Sequence, residues 1–136
     1  MGSIFPSAAW LEDLKLKLNS DSRYAHIARN WEGDLCIYME PGGPIKEAMV
    51  FYLDLWHGTC RNVALLKEVG DLKPIFLMSA SFENLTRIVK GELDPMQAMM
   101  TRKLTVKGSM AYMMRNVPTV LDFVRCAREI TDEIIS

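Results

Sequence analysis

Residues 91–114, GELDPMQAMMTRKLTVKGSMAYMM, decide the reading of this chain, because they hold six of its ten methionines around a short run of alternating polarity. Gly91 suits the end of a preceding helix, Asp94 the cap of the next and Pro95 its first turn. Met96, Met99 and Met100 are predicted to share one face of that helix. In Lys103-Leu104-Thr105-Val106-Lys107 apolar and polar residues alternate with the period of a half-buried strand, and Gly108-Ser109 opens a further helix carrying Met110, Met113 and Met114. Unbranched thioether side chains fill irregular space and repack around different shapes at low cost, which suits an ordinary core and an adaptable binding cavity alike.

Working outward, Ser81 can cap a helix containing Phe82, Leu85, Ile88 and Val89. Before it the chain reads as strands: 35–40, a Pro41-Gly42-Gly43-Pro44 turn, 47–56, a third within 62–67, and a fourth from Pro74 or Ile75 to Ser79. Connections this short predict antiparallel pairing. Two helices come first. One follows Pro6-Ser7, repeats Leu11, Leu14 and Leu18, and ends near Asn19-Ser20; the other starts at Asp21-Ser22 with Tyr24, Ile27, Ala28 and Trp31 as its apolar stripe. At the far end Pro118 restarts the chain as a helix running to about residue 134. Its stripe is Val120, Phe123, Val124, Ala127, Ile130 and Ile134, with Asp122, Arg125, Glu129 and Asp132 mostly outside, and it is expected to act as a movable cover.

A helix ending in GELDP, a short apolar helix, KLTVKG and another helix form an order that resembles the sterol carrier protein 2 family, most clearly over residues 81–114. Thr101-Arg102 stand where many members place a glycine before the corresponding lysine, a departure that concerns the local turn. The resemblance implies an α+β fold: a five-stranded, mainly antiparallel sheet with helices packed over one face, enclosing an apolar tunnel for fatty acyl chains or sterols. Trp31, Phe51, Leu53, Phe76, Met78, Leu85 and Phe123 then join the six clustered methionines as candidate ligand-binding residues. Each also satisfies an ordinary core pattern, which is what periodicity alone favours.

With 136 residues the chain is read as a single domain spanning 1–136, and a net charge of −1 gives no general pull toward nucleic acid or anionic lipid. Cys36, Cys60 and Cys126 are odd in number and far apart, so they outline no disulfide framework and fit a reducing cytosol. The amino terminus lacks a signal-peptide pattern, and Pro6 stands where myristoylation of Gly2 wants Ser or Thr. Ile134-Ile135-Ser136 is not a peroxisomal ending, which eukaryotic members of the resembled family often carry; a cytoplasmic protein is expected.

Asp54, His57 and Cys60, spaced D-x-x-H-x-x-C, are the most suggestive ligand cluster, but a structural zinc site needs a fourth ligand and only Cys36 is available. No nucleophile motif surrounds His57 and Cys60, and the loop 40–44 has neither a P-loop lysine nor a GxGxxG pattern. Arg102, Lys103 and Lys107 form a basic patch beside the methionine helices, suited to a lipid head group or to a solvated strand edge. The reading that follows is a non-enzymatic carrier, without metal or cofactor, that binds and transfers a fatty acyl chain, acyl-CoA, sterol-like or isoprenoid lipid. Transient membrane contact and a homodimer stay open. The alternatives are an accessory or dimerisation module of lipid- or quinone-processing machinery and, in a third class, an enzyme using His57 and Cys60.

Overall fold

A computed structural model describes residues 3–136, so the myristoylation reading at Gly2 lies outside the described residues. The chain opens with β1 (Ser3–Phe5), α1 (Ala8–Ser20) and α2 (Ser22–Ile27). Four strands follow: β2 (Leu35–Glu40), β3 (Met49–Trp56), β4 (Thr59–Leu66) and β5 (Phe76–Ser81). Then come α3 (Phe82–Val89), α4 (Pro95–Met100), β6 (Thr105–Lys107), α5 (Met110–Arg115), α6 (Val117–Glu129) and β7 (Thr131–Ile134).

Helix starts follow their caps. The side chains of Ser7, Asp21, Ser81, Asp94 and Ser109 each accept a backbone N–H from the first turn they precede, satisfying donors that the helix itself leaves unpaired. Asp21 serves two helices, since its own N–H closes α1 on the Lys17 carbonyl while its carboxylate caps α2. α2 ends at Ile27, so Trp31 lies beyond the helix assigned to it, with its indole N–H donated to the Gly33 carbonyl at 2.9 Å. β3 and β4 turn at His57-Gly58, both with positive φ (49° and 83°), the backbone of a tight hairpin. A side chain at Gly58 would stand 2.6 Å from the Ala25 carbonyl, which is how closely this hairpin approaches α2.

The main sheet has the order β4-β3-β2-β5-β6. Its pairs are antiparallel except β2 with β5, which run parallel with Leu35 opposite Phe76 and Ile37 opposite Met78. The five-stranded, mainly antiparallel sheet is as expected, and β5 is the exception to the antiparallel pairing that short connections favour: the connection 67–75 carries the chain past β3 and β2 and lays β5 on the far side of β2. Register puts Leu35, Ile37, Phe51, Leu53, Phe76 and Met78 on one face. That face meets the helices in one hydrophobic core, with α1 against β4 and α3 against β5 and β2.

The chain ends differ from the sequence expectation. The terminal helix stops at Glu129, and Thr131–Ile134 forms β7, parallel to β1 in a separate two-stranded sheet. Ile134 thus belongs to a strand, because a partner more than a hundred residues away supplies the ladder that local periodicity does not announce.

Asp122 and Arg125 are corrected too. α6 touches all five other helices, so the part of its polar side that carries Asp122 and Arg125 is covered as well as its apolar stripe, Asp122 being only 3% exposed, whereas Glu129 stays exposed as expected. Arg125 donates to Asp122 (2.8 and 3.0 Å), to Asp21 (2.7 Å) and to Glu129 (3.0 Å), while Lys17 reaches Glu129 (2.8 Å) and Asp21 (3.2 Å). These contacts clamp α6 to α1 and to the cap of α2. Arg125 and the other hydrogen bonds hold the Asp21 carboxyl well below the usual carboxylate range, and Lys17 and Arg125 lower that of Glu129.

Candidate functional site

Between the sheet and its helical roof lies a cavity of about 90 Å³ whose exposed wall is entirely apolar. The sheet contributes Leu35, Ile37, Phe51, Leu55 and Met78. Leu85, Ile88 and Val89 of α3, with Phe123, Val124 and Ala127 of α6, form much of the roof. α4 and α5 each send in one methionine, Met99 and Met113. Phe5, Trp10 and Tyr24 close one part of the wall; Phe5 meets Trp10 edge-on at 4.7 Å and Phe51 at 6.1 Å.

Polar atoms on lining residues are turned away or satisfied outside. The Trp10 indole donates to Thr131 Oγ1 at 2.8 Å, that of Trp31 to the Gly33 carbonyl, and Thr119 Oγ1 to the Ile27 carbonyl at 3.3 Å. Burial raises the Tyr24 phenol above its ordinary range, so it stays neutral. The cavity thus offers shape and dispersion contacts, with no charge to orient a polar ligand.

Of the residues singled out from the sequence, Trp31, Phe51, Met78, Leu85, Met99, Met113 and Phe123 come together on this wall. Leu53 and Phe76 share the sheet face but are packed away from the space. Phe76 instead sits in an aromatic cluster with Trp31 (5.3 Å) and Tyr112 (5.7 Å), pressed so closely by Gly108 that a Cβ there would stand 2.6 Å from its ring. Met96 is half-buried against the core without reaching the wall. Met100, Met110 and Met114 are exposed, Met100 by 79%. The reason is length: α4 and α5 have six residues each, under two turns, so each buries one narrow stripe, and Met99 and Met113 occupy it.

Sequence reasoning missed Phe5, Trp10, Tyr24 and Ile37 as lining residues. Trp10 and Leu14 stand four apart on one helical face, a signal that was available. Phe5 carried none, because its position depends on the β1–β7 pairing.

The D-x-x-H-x-x-C residues go to separate partners. Asp54 pairs with Arg61 at 3.0 Å, and His57 Nε2 meets Glu32 at 2.6 Å on the surface. Cys60 is buried, its thiol 3.6 Å from the Asn62 carbonyl and pushed up to about 11 by that burial. Among the described residues, Asp21, Asp122 and Cys126 alone converge in a way that a cation could use, and Arg125 already occupies both carboxylates.

Several solved structures of sterol carrier proteins share this architecture. A crystal structure of sterol carrier protein 2 is similar with a TM-score of 0.84 and 28% identity, covering 92% of this chain and 98% of that one. A solution structure from Thermus thermophilus, described as possibly a sterol carrier protein, gives 0.83 and 28% over 92% of this chain and 88% of its own. The palmitated sterol carrier protein 2 like 2 of Aedes aegypti, 15% identical with a TM-score of 0.58 over 85% of this chain and 94% of that one, shares the fold. The model of the SCP-2 sterol transfer family matches residues 11–120, and the chain belongs to that family. Comparison with curated protein sequences returns no match. Among the described residues, no helix is long and apolar enough to cross a membrane.

Proposed function

We propose that the protein takes the apolar chain of a lipid into the space between sheet and helices and releases it unchanged, acting as a carrier without bond-making chemistry. The observation that carries this reading is the cavity wall: wholly apolar and set with Met78, Met99 and Met113, side chains able to repack around a guest. Membership of the sterol transfer family supports it, as does the palmitate held by the Aedes aegypti relative of the same fold. Ligand classes in keeping with such a wall are fatty acyl, acyl-CoA, sterol-like and isoprenoid chains. Three free cysteines fit work in the reducing cytosol by the whole chain as one unit.

Magnitudes say how binding must proceed. Sites that enclose a drug-sized ligand measure roughly 300–1,000 Å³; a cavity of about 90 Å³ takes only part of a long chain before its walls part. Each methylene buried returns about 0.8 kcal/mol, enough over several carbons to offset that repacking. Displacement of a fluorescent fatty acid from the purified protein tests the reading. Saturable displacement by long acyl chains, abolished by Met113→Glu in a variant that still folds, is expected, because a carboxylate on that wall must ionise at high cost or take up a proton. No response to any acyl chain, or undiminished binding in folded Met113→Glu, contradicts it.

A further inference from the structure

Beside the apolar cavity a surface cleft of about 660 Å³ runs between the α3–α4 junction and α6. Ile88, Pro95 and Val124 line both spaces, so a single layer of side chains separates them. Three arginines line the cleft: Arg23, Arg125 and Arg128. Their availability differs. Arg125 is spent on Asp21, Asp122 and Glu129, and Arg23 has only a 3.4 Å approach to the already occupied Asp122. Arg128 is exposed and, among the described residues, has no carboxylate within ion-pair distance; its guanidinium lies against the backbone at Gly91, where a Cβ would stand 3.1 Å from Nη1. Of the cleft's acids, Asp122 is held by Arg125 and Asp94 is held by its cap to α4, accepting from Met96 N–H at 2.7 Å.

We propose that this cleft is the head-group site for an anionic single-chain lipid: Arg128, assisted by Arg23, holds a carboxylate or phosphate while the chain passes between Ile88, Pro95 and Val124 into the cavity. The inference rests on the lipid-binding reading above and adds what that apolar wall cannot supply, a preference for charge at one end of the ligand. Gly91 matters here, since with no Cβ it lets Arg128 lie flat across the turn that ends α3. α4, six residues long, is the lighter side of the passage, whereas α6 is clamped by its ion pairs.

The test compares palmitate, hexadecyl phosphate and hexadecanol, with acetate and inorganic phosphate as chainless anions, by displacement at pH 8 and low salt. Both anionic lipids are expected to bind about fivefold more tightly than the alcohol, the size of an exposed charge pair. Arg128→Gln is expected to remove that preference and leave hexadecanol affinity unchanged; Lys103→Gln, in the other basic patch, to leave both unchanged. Chainless anions are expected not to displace the probe. Equal binding of palmitate and hexadecanol by the parent, or a preference that survives Arg128→Gln or is lost with Lys103→Gln, overturns the head-group site alone. A parent that binds none of the three lipids overturns the lipid-binding reading and this site with it.

Discussion

Met113 and Met114 are adjacent and have opposite surroundings: one is 1% exposed on the cavity wall, the other 56% exposed on the outer face of α5. Truncating a buried methionine removes apolar contacts and leaves a void, at a cost of about 2–4 kcal/mol, whereas an exposed one has little to lose. Urea unfolding of Met113→Ala is expected to show that loss, with Met114→Ala within about 0.5 kcal/mol of the parent. Similar losses in both would place the two on equal footing and contradict the burial assigned to α5. The six clustered methionines are legible in the sequence as a group, but which of them face inward is not. In helices of six residues the stripe is too short for periodicity to fix a phase, so Met99 and Met113 cannot be told from Met100 and Met114 by spacing alone.

Among the elements, α6 carries the greatest load. Its apolar stripe roofs the cavity while Arg125 binds it to Asp21 and Glu129 binds it to Lys17, so the ion pairs oppose the hinge motion that Pro118 suggests. Because the Asp21 and Glu129 carboxyls titrate below their unfolded values, the unfolded chain takes up protons first as pH falls; the stability they contribute is full above about pH 5 and is lost as pH falls toward their native values. Asp21→Asn is expected to cost about 2 kcal/mol at pH 7, through a weakened cap and the loss of its ion pairs with Arg125 and Lys17, and the gap to the parent is expected to shrink by pH 3. Urea midpoints at the two pH values measure it. A gap that is equal at both, or wider in acid, rules out this ionic clamp. Sequence alone hides the clamp, since Asp122 and Arg125 fall on the side of the helix where charges ordinarily meet water.

For the whole molecule, the caps at Ser7, Asp21, Ser81, Asp94 and Ser109 and the run of strands are readable because each is a local pattern. The parallel insertion of β5 beside β2 and the pairing of β1 with β7 are not, since both are set by contacts between distant segments. Those long-range choices build the cavity: one brings Met78 beside Ile37, and the other anchors Phe5 near Phe51. The most direct measurement of the central claim uses the methionines themselves. With methyl-13C methionine, titration of the folded protein with palmitate is predicted to move the Met78, Met99 and Met113 methyl resonances saturably together and to leave Met100, Met110 and Met114 in place. Shifts confined to the three exposed methyls, or none at all, would contradict uptake of the chain between sheet and helices.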